Sequence, residues 1–436
     1  MKIVILGNGF DLANGLPTKY EDYFNHYEKK MKNQFEQISD FFTCSCPSIF
    51  REEQENHSLK EDEEDIKITI KNIFKYDISK ILQSCIDSNI SIWDLYFWNS
   101  RKNTEYTNWA DVEVNISNII NNIEIFTFIS SYNNICQCKL NDIHEGYCLF
   151  ISNTVVRRGR KLHSQSTEEY LKNIYNDIDG NNRFKLLCSE LLCKRYKPDN
   201  DEAYLYIIKK ELELFEDNFK KYMTDEIKNI INANKGIYRN NLFAVTKKSN
   251  TDIYILNFNY TDFSGEQSKD KRNTRMQRDH NRIKIKQNNV HGTYYSKIIF
   301  GIDQTNIVDE NFFQFTKTYR KMELDDEISA VKLPDSARKI VDEIIFFGHS
   351  LSEADYSYFH SIFDYYDIYG SNIKLIFKYS TGRCKNEYVK KIMKLLKFYG
   401  EKMFDKSRGN NLVHKLILEN RLSIKDVELE KINIPS

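Results

Sequence analysis

The sequence predicts an α/β fold built around a mainly parallel sheet. The first observation is a set of short runs of β-branched and aromatic residues, each bounded by polar residues or glycine. These predicted strands are Lys2–Leu6, Asp252–Phe258, Glu343–Phe347 and Asn372–Tyr379, with Lys297–Phe300 as a fifth candidate. Runs that are apolar at nearly every position are typical of parallel strands whose two faces are both covered.

The second observation is helical periodicity in the long segment between the first two strands. Apolar residues recur there at helical spacing, with charged residues between them. The segments with this pattern are Ile66–Ile90, Val112–Ile129, Glu168–Ile178 and Asp201–Ile231. The chain has only five prolines and 15 glycines in 436 residues, which favours long helices over a turn-rich all-β fold.

One strand at the N-terminus and the others beyond residue 250 predict a discontinuous domain. Residues 1–24 and 250–400 would form a Rossmann-like nucleotide-binding domain, in which ligands bind at the carboxyl ends of the strands. Residues 25–249 would be a mostly helical insertion, and residues 401–436 a C-terminal extension.

The overall composition argues against several classes of protein. Hydrophobic residues make up 41% of the chain, which is typical of a globular protein rather than a disordered one. Lysine plus arginine equals aspartate plus glutamate at 63 each, so no overall field favours nucleic acid or a membrane. The apolar run at the N-terminus is too short for a signal peptide or a membrane span, so a cytoplasmic protein is expected.

The nine cysteines are expected to be reduced, because an odd number is scattered along a chain without a secretory signal. Two Cys-x-Cys pairs occur, Cys44 with Cys46 and Cys136 with Cys138. A zinc site built from both pairs is an alternative, but their spacing is atypical of structural zinc. Incidental cysteines and no metal are therefore expected.

The first predicted strand leads into Gly7-Asn8-Gly9, which is followed by Gly15-Leu16-Pro17. Gly7 and Gly9 allow a sharp turn and a close approach to a ligand, because no Cβ atom is in the way. The free N–H groups of a following helix would face a phosphate. The common dinucleotide fingerprint requires a third glycine where this chain has Leu12, so a tight turn without a ligand is equally compatible with the pattern.

Two later segments contain candidate polar residues. Asn259 follows the second predicted strand and could hold a ribose hydroxyl or a water, although Asn257 competes with it and an asparagine there is often only a turn former. His291, in a His-Gly pair, could act as a general base near neutral pH. A hydrogen-bonded structural histidine is the alternative.

A third segment, Gly348-His349-Ser350-Leu351, follows the predicted strand Glu343–Phe347. Its glycine, its backbone amides and Ser350 could contact a ribose or a phosphate. Ser352 could instead cap a helix that begins near Glu353.

Residues 264–289 are rich in charge, with eight basic and three acidic residues. A basic loop here could steer an anionic dinucleotide or touch nucleic acid. Aromatic residues do not alternate with the charges, so stacking on single-stranded nucleic acid is not supported, and a solvated loop is favoured. The acidic run from Arg51 to Asp65 is likewise expected to be a solvated surface.

The glycine segment resembles the NAD-binding loop of sirtuins position by position, from Gly7 to Pro17. Asp11 stands where sirtuins carry a small hydroxyl residue. Sirtuins continue with Asp-Phe-Arg, whereas this chain continues with Thr18-Lys19-Tyr20 and lacks the matching arginine.

The later segments resemble sirtuin elements in the same order. Asn259 is similar to the asparagine of the sirtuin Thr-Gln-Asn-x-Asp motif, and His291 to the catalytic base in a His-Gly pair. The segment that begins at Gly348 resembles the Gly-Thr-Ser-Leu element, with His349 in place of threonine.

Two longer phrases, GNGFDLANGLPT and GHSLSEAD, resemble the AbiH family, a bacterial phage abortive-infection family related to sirtuin-like proteins. The segment TNWADVEVNI resembles a Trp-x-Asp-x-Glu motif of that family and contains Asp111 and Glu113. These two carboxylates would point away from each other on a helix. Asp111 could simply begin that helix, and Glu113 is a candidate for contact with the substrate.

The resemblance implies a phage-defence effector that binds NAD as a substrate and cleaves its nicotinamide–ribose bond. Asn259 would orient the nicotinamide ribose or the attacking water, and His291 would be the base. The residues implied to bind the dinucleotide are Gly7, Asn8, Gly9, Asp11, Gly15, Pro17, Gly348 and Ser350. Deacylation is disfavoured, because sirtuin deacylases carry a zinc module with two Cys-x-x-Cys pairs and this chain has none.

Two other functions remain open at this point. One is a nucleotide-binding sensor that does not turn its ligand over, and the other is a nucleic-acid-acting effector that uses the basic loop. The expected partners are NAD or a related dinucleotide, a phage-derived trigger and further copies of the chain, with nucleic acid disfavoured and no membrane.

Overall fold

The described residues include a six-stranded parallel sheet in this computed structural model. Its strands are β1 (Lys2–Leu6), β2 (Ile253–Asn257), β3 (Ile285–Asn289), β4 (Glu343–Phe347), β5 (Lys374–Ser380) and β6 (Leu422–Val427). The strand order is β3-β2-β1-β4-β5-β6, and every neighbouring pair is parallel. The predicted α/β fold is therefore confirmed.

The structure describes residues 1–43, 78–101, 203–247, 251–262, 284–303, 310–324, 341–380, 384–403 and 406–431, with single positions or short runs between 112 and 196 and at 307, 333 and 334. Within these residues the α-helices are α1 (Gly9–Ala13), α2 (Tyr20–Lys30), α3 (Lys32–Thr43), α4 (Ile78–Asp87), α5 (Ile92–Arg101), α6 (Ala203–Tyr222), α7 (Lys228–Ala233), α8 (Lys235–Thr246), α9 (Lys317–Met322), α10 (Tyr356–Tyr365), α11 (Lys385–Lys402) and α12 (Lys406–Leu418). A π-helical turn lies at Met223–Ile227, and 3₁₀ turns lie at Glu310–Phe315 and Glu353–Asp355. Further described helical positions occur between residues 112 and 196.

Two compact units divide the chain. The first comprises Met1–Asn25, Glu105–Ser117 and Glu216–Ser436, and it contains the whole sheet. The second comprises His26–Thr104 and Asn118–Phe215. The domain boundaries expected from the sequence remain a prediction.

Apolar side chains cover both faces of the sheet in the first unit. Alternate residues of the inner strands, such as Ile344 and Phe346, belong to a buried cluster that includes Phe359 of α10 and Leu395 of α11. On the other face, the ring of Phe10 contacts Tyr238 of α8 edge-on, with the ring centroids 5.1 Å apart. Burial on both faces explains why the inner strands are apolar at nearly every position.

The second unit has an aromatic core of its own. Phe97 of α5 lies between Trp93 and Phe215, with ring centroids 6.2 and 5.2 Å away. The indole N–H of Trp93 donates to the carbonyl of Ile208 over 3.2 Å. The buried carboxylate of Glu211 accepts from the guanidinium of Arg195, so this charge is paired rather than isolated.

The sequence prediction was wrong at both edges of the sheet. It assigned residues 264–289 to a basic loop and did not recognise β6, whereas Ile285–Asn289 forms β3, and both β3 and β6 are edge strands whose residues are partly exposed. Half-exposed edge strands carry polar residues, so they lack the apolar run that marks an inner strand. β6 lies within the segment that was expected to be a C-terminal extension.

The fifth candidate strand, Lys297–Phe300, is also wrong, because this segment has no regular structure. Ile298, Ile299 and Phe300 are buried, so their apolar character reflects burial of a loop. Its backbone amides do not form the hydrogen bonds of a β-sheet. The amide of Ile299 donates to the carbonyl of His291, and the amide of Phe300 donates to the carboxylate of Glu216.

Several sequence predictions lie wholly or partly outside the described residues. These are Cys44 and Cys46, Cys136 and Cys138, the acidic run 51–65, parts of the periodic segments 66–90 and 112–129, the periodic segment 168–178, most of the basic segment 264–289, and Asp111. In the described part of the chain, no helix has the length and apolar character needed to cross a membrane.

Candidate functional site

A cavity of about 250 Å³ lies where several strands of the sheet end. Gly7 directly follows β1, Gly348 follows β4, and Asn259 lies two residues after β2. His291 lies two residues after β3 and also lines the cavity. Open α/β sheets bind their ligands at this end of the strands, so this cavity is the candidate site.

Most of the predicted site residues come together at this cavity. Those that line it are Gly7, Asn8, Gly9, Asp11, Glu113, Asn259, His291, Gly348 and Ser350. Gly15 and Pro17 are described but do not line it: Gly15 turns the chain after α1 with φ at +92°, and the carbonyl of Pro17 accepts from the hydroxyl of Tyr222. Asp111 lies outside the described residues.

The three glycines let two turns pack backbone against backbone. The amides of Gly7 and Gly9 donate to the carbonyls of Phe347 and Gly348, over 3.0 and 2.7 Å. A Cβ atom on Gly9 would lie 2.6 Å from the Gly348 carbonyl oxygen, and one on Gly348, where φ is +71°, would lie 2.3 Å from the Phe10 nitrogen. Both amides therefore join the turns to each other, whereas the sequence suggested that the glycines make room for a ligand.

The side chain of Asn259 is held on one side only. Its Nδ2 donates to the carbonyl of Gly7 over 3.1 Å, and its own carbonyl accepts from Asn289 over 2.7 Å. Its Oδ1 is buried and has no hydrogen-bond partner among the described residues. This oxygen is available to accept a hydrogen bond from a ligand.

A buried carboxyl group, Asp11, lies on the adjacent wall. It accepts hydrogen bonds from the hydroxyl of Tyr238 and, over 2.9 Å, from the hydroxyl of Thr261. Burial raises the pKa of Asp11 from 3.8 to about 7, while the hydrogen bonds from Tyr238, Thr261 and Asn259 oppose that rise. Asp11 therefore titrates near neutral pH.

The centre of charge in the site is a buried cluster around Asp355. Oδ1 of Asp355 lies 3.0 Å from Nζ of Lys317, which also lies 2.6 Å from Oε1 of Glu113. The Nε2 atoms of His291 and His349 each lie 3.4 Å from an Asp355 oxygen, His291 from Oδ1 and His349 from Oδ2. One ammonium is thus shared by two carboxylates, and two imidazoles face one of them.

The two carboxyl groups of this cluster, those of Glu113 and Asp355, have very different pKa values. Burial raises the pKa of Glu113 from 4.5 to about 7, although the charge of Lys317 opposes the rise. Burial alone would also raise the pKa of Asp355, but the charge of Lys317 and the contact with His291 outweigh burial and hold it well below its usual range. Asp355 is therefore ionised, whereas Glu113 gains or loses its proton near neutral pH.

Both histidines are neutral at physiological pH. Burial lowers the pKa of His291 to about 4, and the charge of Lys317 acts in the same direction. Burial likewise lowers the pKa of His349 to about 4, against the charge of Asp355. Neither ring nitrogen of His291 has a hydrogen-bond partner of good geometry among the described residues.

Sequence reasoning did not identify Asp355, Lys317 or the polar role of His349. Asp355 closes the GHSLSEAD phrase, so its proximity to His349 along the chain was a usable signal. No sequence pattern identifies Lys317 as a site residue, because it lies in the first turn of helix α9 and does not directly follow a strand of the sheet. Among the described residues, no group of three or more His, Cys, Asp or Glu side chains is placed to hold a metal ion.

Comparison with known proteins identifies a family for this chain. The sequence model described as "Bacteriophage abortive infection AbiH" matches residues 3–379, which is most of the chain. No curated protein and no solved structure is significantly similar to the chain.

Proposed function

Because this chain belongs to the AbiH family of bacteriophage abortive infection proteins, we propose that it is a phage-defence effector that binds NAD in the cavity and hydrolyses its nicotinamide–ribose bond. The family indicates a role in phage abortive infection; the ligand and the reaction are our proposal.

The observation that carries the proposal is the set of buried polar atoms without partners in the cavity wall. Oδ1 of Asn259 and Nδ1 of His291 are buried and lack hydrogen-bond partners among the described residues, whereas Nε2 of His291 lies 3.4 Å from Oδ1 of Asp355. Leaving such atoms unsatisfied costs about 1–3 kcal/mol each, so they are expected to pair with a ligand or its water. An acceptor beside a neutral imidazole suits a ribose hydroxyl or an attacking water.

The order of the strands supports a dinucleotide as that ligand. The order 3-2-1-4-5-6 is that of doubly wound sheets that bind dinucleotides where the strand order reverses, and here it reverses between β1 and β4. The cavity lies at the ends of these two strands. We therefore take the sheet to be Rossmann-like, and the resemblance of its turns to sirtuins suggests NAD.

The space at this end of the sheet suits an elongated ligand. A second cavity, of about 150 Å³, lies at the ends of β4 and β5. The two cavities share Gly9, Gly348, His349 and Lys391 in their walls. A ligand that spans both would place its negatively charged middle near Lys391.

The proposed reaction needs few protein groups. The bond between C1′ of the ribose and the nicotinamide nitrogen breaks, nicotinamide leaves as a neutral molecule with the bonding electrons, and an oxocarbenium-like ribose remains. Water attacks C1′, and its proton passes to His291, which is neutral and able to accept it. Asn259 orients the ribose or the water, and positioning supplies most of the rate enhancement.

We further propose that residues 25–249 are a mostly helical insertion that recognises a phage-derived trigger or mediates assembly. The helices described within this range support the helical assignment. A sensor that binds NAD without cleaving it is the alternative use of the same site.

The test is nicotinamide release by the purified full-length protein, with NAD alone and with NAD plus lysate of infected cells. We expect release in at least one condition, abolished by His291→Ala and unaffected by His414→Ala, since His414 is exposed on α12. NAD binding measured by calorimetry without release in either condition would support the sensor. Absence of binding would contradict both readings of the site.

A further inference from the structure

We propose that Asp355 is a positioning residue that sets the tautomer of His349 and of His291, so that Nδ1 of His291 is the hydrogen-bond acceptor presented to the substrate. Lys317 is the counter-cation that keeps Asp355 charged in the buried site. The consequence for catalysis rests on the proposed NAD hydrolysis, whereas the tautomers themselves do not.

The place of Asp355 suits this role. It ends the 3₁₀ turn Glu353–Asp355 and immediately precedes α10, so its backbone is held by regular structure on both sides. Its carboxylate is buried and is contacted from three directions, by Lys317, His291 and His349. A buried carboxylate is stable only when such donors surround it.

The tautomer of His349 follows from its second contact. Its Nδ1 accepts a hydrogen bond from the backbone amide of Leu351 over 3.0 Å. Since a neutral imidazole carries one proton, that proton must be on Nε2. Nε2 is the atom that lies 3.4 Å from Oδ2 of Asp355, so His349 presents an N–H to the carboxylate.

The same carboxylate determines the tautomer of His291. Its Nε2 lies 3.4 Å from Oδ1 of Asp355, where a lone pair would face a negative oxygen and an N–H would be attracted to it. The proton therefore lies on Nε2, and the lone pair of His291 is on Nδ1. Phe258 and Tyr358 contact the His291 ring edge-on, with both centroids 5.5 Å away.

The charged groups around His291 act in opposite directions on its basicity. Asp355 favours the protonated ring, while the ammonium groups of Lys317 and Lys321 disfavour it. When His291 takes a proton on Nδ1, the nearby carboxylate stabilises the imidazolium that forms. Loss of the Asp355 charge would leave the two lysines unopposed, and His291 would become a weaker base.

The test is NMR of the full-length protein labelled with ¹⁵N at histidine, in which two-bond ¹H–¹⁵N correlations identify the tautomer of each ring. Signals are assigned by their loss in His291→Gln and in His349→Gln. We expect both rings of the wild-type protein to carry the proton on Nε2 at pH 7. A proton on Nδ1 of His291 in the wild-type protein would overturn the proposal without any need for a variant at Asp355.

The variant Asp355→Asn removes the charge and offers one ring a donor instead of an acceptor. We expect at least one of the two histidines to change its tautomer or to become a mixture. The matched control is Glu353→Gln, an exposed carboxylate in the same turn whose contact is with Lys394 on the surface. Unchanged tautomers in Asp355→Asn, with the fold retained, would show that Asp355 does not position the rings.

Kinetics separate this proposal from the proposed function. If the protein hydrolyses NAD, Asp355→Asn should lower kcat by about 100-fold or more with little change in KM. The pH at which activity falls on the acid side should move lower, because His291 loses its stabilising charge. Correct tautomers without NAD hydrolysis by the wild-type protein would contradict the proposed function and leave the positioning role intact.

Discussion

The Nζ atom of Lys317 lies 2.6 Å from Oε1 of Glu113, which lines the cavity, and both side chains are buried. The same ammonium contacts Asp355 at 3.0 Å. Burial would lower the pKa of Lys317, but the charges of Asp355 and Glu113 outweigh it and hold the pKa above its usual value. A permanent cation therefore balances the carboxylates of the site.

Lys317→Met should destabilise the fold strongly, because it removes the cation from between two buried carboxyl groups. Removal of one partner from a buried ion pair typically costs about 3–5 kcal/mol. The free energy of unfolding in urea measures the loss. Lys394→Met, which removes an exposed partner of Glu353, should cost less than about 1 kcal/mol. A cost for Lys317→Met as small as that of the control would contradict the proposed role of the cluster.

Glu113→Gln should change how stability depends on pH. Glu113 loses its proton at about pH 4.5 in the unfolded chain and at about pH 7 in the folded one, so the folded state binds more protons between these values. Its contribution to the free energy of unfolding is complete below pH 4.5 and is lost as the pH rises through 7. The free energy of unfolding of the wild type minus that of Glu113→Gln should therefore fall by about 3 kcal/mol between about pH 4 and pH 8.

This difference must be measured between the two proteins and not on the wild type alone. His291 and His349 have lowered pKa values and bind fewer protons in the folded state, so their contributions rise with pH over the same range. In the wild-type protein, the contributions of Glu113 and of the two histidines to the pH dependence of the free energy of unfolding have opposite signs and partly cancel. A wild-type-minus-variant difference that rises with pH would show that the Glu113 pKa is not raised.

Gly348→Ala should disrupt the packing of the two turns that form the cavity. The new Cβ would lie 2.3 Å from the Phe10 nitrogen, at a residue whose φ is +71°. The positive φ and the clash together should cost about 3 kcal/mol in the free energy of unfolding. Gly236→Ala is the matched control: its Cβ would meet nothing within 4 Å inside helix α8, so it should stabilise the protein by about 0.5–1 kcal/mol.

Asn259→Ala should weaken binding of NAD if the buried Oδ1 accepts a hydrogen bond from it. Loss of one buried polar contact corresponds to about 1–3 kcal/mol, or roughly a 5- to 150-fold increase in Kd. Calorimetry measures this change, and circular dichroism checks the fold. Asn288 lies on the edge strand β3 and donates to the hydroxyl of Tyr254 on β2, so Asn288→Ala should leave Kd unchanged. Equal Kd values in all three proteins would place the ligand elsewhere.

Sequence patterns predicted the inner part of the sheet well. Lys2–Leu6 and Glu343–Phe347 were predicted with the bounds that the structure shows. These strands are covered on both faces, and such burial leaves few places for polar residues. β3 and β6 lie at the edges, where partial exposure permits polar side chains and removes that signal.

The candidate site was predictable to the extent that its residues follow strands. Asn259, His291 and Gly348 come after β2, β3 and β4, and parallel strands bring such positions to one edge of the sheet. The strand that precedes His291 was missed, and His291 was singled out as a candidate general base in a His-Gly pair, a pair that also resembles a known motif. The position of a residue directly after a strand therefore predicted that it lies near the cavity, but it did not predict its hydrogen-bond partners.

The sequence by itself determined the α/β class, the inner strands and half of the residues that line the cavity. These features could be predicted because apolar strand patterns, and the positions that follow strands, are visible in short segments of the chain. Only the tertiary structure decided the chemistry of the site. Lys317 and Asp355 are 38 residues apart, and Glu113 lies far from both along the chain. Their charges, and the proton positions of His291 and His349, depend on burial and on contacts that exist only once the chain has folded.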